Sequence, residues 1–382
     1  MCRQTLDNIT EVSSIVAGQE VTRTKISPEA LKRRADRYLL LEGLQKRTTK
    51  HRLHRCGLDR ISNSAQPILK WDEETGSSYL SLVQRCGYVQ FCPVCGAKIG
   101  NQRASEISQA VEKALDLGHG IYMITFTAHH LQEHTLRELR TLIKGGFKAV
   151  ISGRQWTEDR ADFGVLGQIR TEEATWGLSG WHPHLHVLVF TDKPLDDPHQ
   201  LHARLFSRWS NHIVKRGHKA PSPEANRIDT ITEQRGVGRY LSKVAVTVGH
   251  EMTRSDLKKG KGKRLSHWEV GWGAVATNDP LYWSKWFEWE AEMGGVQLCR
   301  WSNGLKSYFG INERTDQELL EQEERFTHAR TISNQEWDLL KQDKQLVPMM
   351  LKTASTHGSH GVDTFFDWLV EVGRNSYAPS QG

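Results

Sequence analysis

Trp181-His182-Pro183-His184-Leu185-His186-Val187-Leu188-Val189-Phe190 decides how this chain is read. β-branched and aromatic residues in which polar and apolar positions alternate read as a strand with two distinct faces. His184 and His186 then share one face, while Leu185, Val187 and Val189 share the other and can enter a core. Two imidazoles two residues apart can ligate one metal ion. Pro183 cannot sit inside a central ladder, which puts the histidines at the start of the strand. Alone, the pair also fits a solvent-facing strand without any ion. A nearby acid and the apolar opposite face favour the metal.

The acid lies just upstream. Residues 163–176 read as a strand ending Arg170-Thr171-Glu172-Glu173-Ala174-Thr175-Trp176, and Gly177–Gly180 reads as the turn of a hairpin. Glu172 and Glu173 point to opposite faces, so only one can join the histidines. Glu173 is the expected third ligand, and a slip of one residue would substitute Glu172. Two histidines and a carboxylate with open positions suit a divalent ion, Mg2+ or Mn2+, that engages phosphate oxygens.

Outward from the hairpin, Ile121–Thr127 is a strand by its β-branched and aromatic content, and helices are expected at 134–151 and 197–216. A further strand at Asn226–Thr232 precedes Gly236-Val237-Gly238 and a helix from Arg239. This order predicts an α+β fold with a ferredoxin-like, split-βαβ antiparallel sheet. Ser27 and Pro28 cap a basic helix, and Ile107, Val111, Ala114 and Leu115 stripe another at 101–117. Residues 1–27 show no clear period and read as an extension. The expected plan is an N-terminal extension with a basic helix (1–50), a cysteine-bearing region (51–100), a domain built on the histidine strand (101–280) and a helical C-terminal region (281–382).

The composition excludes several classes. Of 382 residues, 37% are hydrophobic and 13 are Trp, too many for a disordered chain. No apolar run reaches the length of a membrane span, and Met1–Asp7 lacks an apolar signal segment, so a soluble, cytoplasmic protein is expected. The net charge of +6 is uneven: residues 311–382 carry a net of −5, leaving +11 on the first 310. Residues 234–264 hold nine Lys and Arg against Glu251 and Asp256. Lys258, Lys259, Lys261, Lys263 and Arg264 in this stretch form either a phosphate-gripping loop or a solvated one.

Four of the six cysteines fall between residues 56 and 95: Cys56, Cys86, Cys92 and Cys95. Cys92-Pro93-Val94-Cys95-Gly96 is a Cys-x-x-Cys knuckle, and Cys56-Gly57 and Cys86-Gly87 repeat the Cys-Gly pairing. Four thiolates suit a tetrahedral structural Zn2+ in a reducing compartment, with redox chemistry or plain buried cysteines as alternatives. His51 or His54 is a substitute for Cys56. Cys2 and Cys299 have no evident partners. Trp283, Trp286 and Trp289 recur at helical spacing and read as a buried face in preference to a DNA-stacking platform. In the helix from Arg239, Tyr240 and Lys243 share a face. A phenol needs help to attack phosphorus, and a metal-polarised phosphate and a neighbouring ammonium supply it.

With these residues in view, the chain resembles the rolling-circle plasmid replication initiators of the HUH endonuclease superfamily, single-tyrosine type. Met123-Ile124-Thr125-Phe126-Thr127-Ala128-His129-His130 resembles the first motif. Glu173-Ala174-Thr175-Trp176 with Trp181–Leu188 resembles the second, and Arg239-Tyr240-Leu241-Ser242-Lys243 the third. The resemblance runs from Cys56 to about residue 310. It implies that Tyr240 nicks one strand at a plasmid origin and stays on the 5′ phosphate, with a host helicase and polymerase extending the free 3′ end. Arg239 joins the expected DNA contacts. One departure stands out: several relatives carry Glu four residues before the tyrosine to activate water at termination, and Gly236 occupies that place here, with Glu233 and Glu172 as other candidates. A related transposase or relaxase would share the chemistry, and a zinc-ribbon nucleic-acid-binding protein without catalysis is the alternative of a different class.

Overall fold

The alternating segment around His184 forms a twelve-residue strand, Gly180–Thr191, in the computed structural model, which describes residues 9–16, 19–231, 264–321 and 326–376. Arg239, Tyr240, Lys243, Lys258, Lys259, Lys261 and Lys263 lie outside the described residues. The strands in chain order are β1 (Ile9–Val16), β2 (Gln19–Ile26), β3 (Ile68–Trp71), β4 (Ser78–Ser81), β5 (Gly120–Thr127), β6 (Val165–Gly177), β7 (Gly180–Thr191), β8 (Ile228–Thr230), β9 (Leu265–Ser266), β10 (Cys299–Trp301) and β11 (His328–Thr331). The protein is mixed α/β with antiparallel sheets. The chain divides into two units. The first comprises Met1–Gly87, Cys92–Cys95 and Leu320–Gly382, the second Tyr88–Phe91 and Gly96–Leu319.

The second unit is built on the sheet β10-β6-β7-β5-β8, with β9 also paired to β6. Every pair is antiparallel. β5 lies between β7 and β8, so the first and third strands of the β5–β8 series are neighbours, as a split-βαβ order requires. Strand alternation gives the sheet two apolar faces. One buries Ile124, Phe126, Leu185, Val187 and Val189 under the helices Leu136–Val150 and Pro198–Lys215. The second helix contributes Leu201, Leu205, Trp209 and Ile213, one residue per turn. The other face buries Ile121, Met123, Ile169, Leu188 and Phe190 against Ile107, Ala110, Val111 and Ala114. Trp283, Trp286 and Trp289 of the helix Pro280–Glu292 are buried, the packing role expected from their spacing.

The first unit holds the sheet β11-β3-β4. Leu69, Trp71 and Leu80 of this sheet pack with Trp337, Met350 and Phe366. The helix Leu346–Ser376 is interrupted at Gly358 (φ 57°, ψ −148°), a backbone state open to glycine.

Several elements differ from the sequence reading. Residues 9–26 form the antiparallel pair β1–β2, registered from Ile9↔Ile26 to Val16↔Gln19. Both runs are rich in β-branched residues, a signal that a search for helical period passes over. A helix at Gly153–Asp162 separates Val150 from β6. The helix expected at 101–117 starts at Pro93. The segment after 281 is helical for most of its length, yet β10 joins the central sheet and β11 the small one. Pro183 does pair within the β6–β7 ladder, opposite Ala174, and β7 starts three residues ahead of it at Gly180. The ladder tolerates it because the β5 pairing stops at Thr127↔His184. The Pro183 carbonyl accepts from Thr127 Oγ1 (3.4 Å) on that side, where no strand needs its missing N–H.

Gly146 marks the tightest approach between the two helices on the Leu185 face. A Cβ there would stand 2.7 Å from Trp209 Cζ3. Trp209 is fully buried and donates from Nε1 to Thr127 O at 3.0 Å, so it cannot retreat. Gly146→Ala should therefore destabilise the protein by about 1–3 kcal/mol, although alanine is the better helix former by ~1 kcal/mol. Urea unfolding of the full chain measures this, and an unchanged or raised midpoint would show that the helices separate freely.

Candidate functional site

The β6–β7 register decides which acid meets the histidines. Glu173 pairs with His184, Thr171 with His186 and Glu172 with Leu185. Glu173 therefore lies on the histidine face and Glu172 on the opposite, core-facing side. Glu173 Oε2 stands 3.4 Å from His184 Nε2 and 3.8 Å from His186 Nε2. Both imidazoles thus aim the same nitrogen at one carboxylate oxygen, and the three donor groups lie within 4.8 Å of one another. The three side chains are only 14–16% exposed.

The other ring nitrogens set the tautomers. His184 Nδ1 lies 3.4 Å from the His182 carbonyl, which can only accept, so Nδ1 is the donor there and Nε2 is the nitrogen turned to Glu173. His186 Nδ1 lies 3.3 Å from Thr125 Oγ1. This is how a metal-binding histidine is oriented by its outer contacts. Two imidazoles and a carboxylate sharing one point form a facial set with open positions, suited to a divalent cation that also takes phosphate or water oxygens.

Around this trio stands a further layer. His182 Nδ1 lies 3.0 Å from His130 Nδ1, and His182 Nε2 lies 3.4 Å from Thr127 Oγ1. Burial, with His184, His130 and Arg264 nearby, pushes His182 down to about 3, so it stays neutral. His130 is lowered for the same first reason. Arg264, exposed just ahead of β9, is thus close enough to oppose protonation of both rings. Trp181 is fully buried and donates from Nε1 to Glu288 Oε2 at 2.9 Å, while the backbone N–H of Leu136 donates to Glu288 Oε1 at 2.7 Å. The start of β7 is therefore held by the helix Pro280–Glu292.

Glu172 has a different use. It accepts from Arg140, a nearly buried arginine of the helix Leu136–Val150 that also reaches the Glu292 carbonyl.

In the first unit Cys56, Cys86, Cys92 and Cys95 converge with all four side chains buried. Cys92 and Cys95 sit at the start of the helix Pro93–Asp116, and Cys56 follows the short helix His51–His54. The Sγ atoms of Cys56 lie 3.7 Å from Cys92 and 3.6 Å from Cys95, and Cys86 lies 3.8 Å from Cys95. A tetrahedral ion with metal–sulfur bonds of about 2.3 Å has sulfur–sulfur edges of about 3.8 Å, so the cluster fits one. Burial pushes the Cys86 and Cys92 thiols up, whereas hydrogen bonds from Cys56, Cys86 and Cys92 favour thiolate at Cys95. His51 and His54 are exposed and stand outside the group.

Of the expected site residues among the described ones, Glu173, His184 and His186 come together, as do the four cysteines. His129 is exposed at the end of β5, and its neighbour His130 makes the contact with His182. Thr125, Thr127 and His130 lie inside the Met123–His130 motif but carried no role of their own. Their signal was parity: Thr125 and Thr127 alternate on β5 in step with Ile121 and Met123, on the histidine face.

Two proteins are similar to this chain. "Protein rep" from Streptomyces lividans is 25% identical over 324 aligned residues, covering 67% of this chain and 71% of that protein. "Neomycin resistance protein" from Streptomyces cyanogenus is 31% identical over 130 residues, covering 28% of this chain and 30% of that protein. The chain thus spans under a third of the second relative's length. No family model matches the chain. No solved structure matches it.

The two adjacent glutamates should separate cleanly. Glu173→Ala is expected to weaken Mn2+ binding, read by calorimetry, by at least about tenfold, a loss that even outer-shell changes can cause. Its unfolding free energy should change little. Glu172→Ala should leave Mn2+ affinity intact and destabilise the protein toward the lower end of ~3–5 kcal/mol, because Arg140 keeps Glu292 as an acceptor. The reverse pattern would mean that β6 pairs with β7 one residue out of step.

Proposed function

We propose that this chain initiates rolling-circle replication of a plasmid by nicking one DNA strand at the origin, as a cytoplasmic, metal-dependent strand transferase of the HUH type. The observation that carries the reading is the convergence of His184 and His186 Nε2 on one Glu173 oxygen, on a central strand of an antiparallel sheet. Similarity to "Protein rep" across two thirds of the chain supports the plasmid role. The nearness of Arg264 to the His130–His182 pair supports a phosphate contact by this arginine beside the site. No helix among the described residues is long and apolar enough to cross a membrane.

Glu173, His184 and His186 would hold the ion, and Mg2+ or Mn2+ there supplies electrophilic polarisation of the scissile phosphodiester. The Tyr240 phenol oxygen attacks phosphorus, the P–O3′ bond breaks, and the strand leaves with a 3′ hydroxyl while its 5′ phosphate stays on Tyr240. The phenol proton leaves to solvent or a nearby base, and the Lys243 ammonium stabilises the oxyanion. The aryl phosphodiester keeps the bond energy, so the strand can be rejoined without ATP. Arg239, Lys258, Lys259, Lys261, Lys263 and Arg264 bind the backbone phosphates of single- and double-stranded origin DNA. A host helicase and DNA polymerase extend the released end. Cys56, Cys86, Cys92 and Cys95 hold a structural Zn2+.

Incubation with labelled single-stranded origin oligonucleotide and Mn2+ tests the reading. A covalent adduct that resists denaturation is expected from the wild type and absent from Tyr240→Phe, which should still bind DNA. His184→Ala and His186→Ala should abolish the adduct and keep most of the affinity, which comes from phosphate contacts. An adduct formed equally by Tyr240→Phe removes the nucleophile assignment, and a wild type that binds DNA without reacting favours a non-catalytic binding protein.

Metal analysis of the purified protein should find about one zinc per chain. Cys92→Ser should lose it and unfold the first unit at lower denaturant, since a structural site contributes folding free energy. A zinc-free protein with four freely titrating thiols would end the assignment.

A further inference from the structure

β6 turns Glu173 to one face of the sheet and Arg170 and Glu172 to the other. On that second face, Arg170 stands directly opposite Arg300 of β10 in the antiparallel register. Side chains so placed have Cβ atoms about 4.5–5.5 Å apart, and like charges there are destabilising. Lys144, from the helix Leu136–Val150, lines the same small pocket with Arg170, Glu172, Gln297 and Arg300. Among the described residues, none of the three cations has an ion-pair partner. The one carboxylate in the pocket, Glu172, is bonded to Arg140 through both oxygens. Burial and then the neighbouring arginine charges lower the pKa of Lys144 and of Arg170, against a smaller opposing pull from Glu172.

The cluster is held in place by packing. The Arg170 guanidinium lies over the Phe147 ring, 4.7 Å from its centroid. Arg300 is exposed on an edge strand, and with Gln297 it also lines a cleft of about 680 Å3 in which Arg103, Lys306 and Arg314 are balanced by acids, Asp316 and Glu313 among them. Three cations that repel one another, with Arg170 fixed by packing and the nearest carboxylate already bonded to Arg140, make a surface that an anion completes. Their arrangement on three separate elements, a helix and two strands, suits a chain of phosphates better than a single small anion.

We propose that Lys144, Arg170 and Arg300 form a phosphate-binding site for DNA on the face of the sheet opposite Glu173, His184 and His186. It holds the backbone of the strand or duplex flanking the cleavage point and takes no part in the chemistry. This rests on the reading of the chain as a DNA-nicking protein.

The test uses the full chain and a labelled mixed-sequence oligonucleotide of about 30 nucleotides, longer than a single module's footprint, as single strand and as duplex. Anisotropy is followed across a salt series, with adduct formation on origin DNA measured in parallel. Changing all three residues to Gln should reduce the slope of log affinity against log salt by about 2–3 and weaken binding tenfold or more. Mn2+ affinity should hold, and the melting temperature should hold or rise as the repulsion is relieved. Arg170→Lys with Arg300→Lys should keep the slope. Arg300→Gln alone, at its exposed edge position, should lower the slope by about one, which serves if the triple variant folds poorly. A greater loss on the duplex or on the single strand supports the site and names the form it holds. Unchanged slope and affinity, or a wild type that binds neither DNA, overturns the site. An adduct from the wild type with no change of slope in the variants removes the site and leaves the nickase. A change of slope with no adduct from any form removes the nickase and leaves the site.

Discussion

The pairing register of β6 on β7 is the constraint from which the rest of the second unit follows. It is a two-state choice, because a strand's side chains alternate and a slip of one residue exchanges the faces. In the observed register Leu185, Val187 and Val189 enter the core and Glu173 faces His184. A one-residue slip of β6 would carry Glu173 away from the histidines and take Ile169 out of the core it fills beside Leu188, a loss of about 1.5–3 kcal/mol for that side chain alone. Arg140 on Glu172 and Glu288 on Trp181 reinforce the choice from two separate helices. Packing on one side of the sheet thereby selects the ligand geometry on the other.

This arrangement makes β6 an electrostatic divider. On one face a carboxylate meets two imidazoles, with His182 beside them kept uncharged by burial. On the other, cations gather around a carboxylate already in use. Adjacent residues of one strand therefore serve opposite ends of the charge scale, and the sheet's own thickness separates them. The donors stand on strands in the middle of a sheet and their second nitrogens are tied to the backbone and to a threonine. Little rearrangement is left for ligand binding to drive.

The sequence made much of this legible. Parity alone groups His184 with His186 and sends Leu185, Val187 and Val189 inward, and the three-residue spacing of the tryptophans marks a buried helix face. The Cys-x-x-Cys pair and two Cys-Gly dipeptides single out the four sulfurs that the fold brings together. Other features were hidden for physical reasons. Whether Glu172 or Glu173 faces the histidines depends on the turn between Gly177 and Gly180, where one residue more or less changes the answer. His130 meets His182 only because β5 and β7 are neighbours, and Arg170 meets Arg300 only because β10 returns to the edge of β6. Such contacts join segments far apart in the chain and leave no local period. Pro183 misled because the rule against proline in a central ladder assumes a partner on both sides, and β5 ends one residue short of it.

The cysteine cluster ties together segments that are distant along the chain, with sulfurs 3.6–3.8 Å apart. Thiols in such contact have two ways to relieve their crowding: share a cation, or lose electrons and join in pairs at about 2.05 Å. The second exit needs only a small movement of Cys56 toward Cys92 or Cys95. Burial of all four side chains bars oxidants from solvent as long as the first unit stays closed. An ion held there would keep the sulfurs from oxidation, and a bond formed between two of them would leave too few thiolates to hold one. At this knot of the chain, a chelator and an oxidant would loosen the same unit by different chemistry, and a thiol reductant would reverse the second alone.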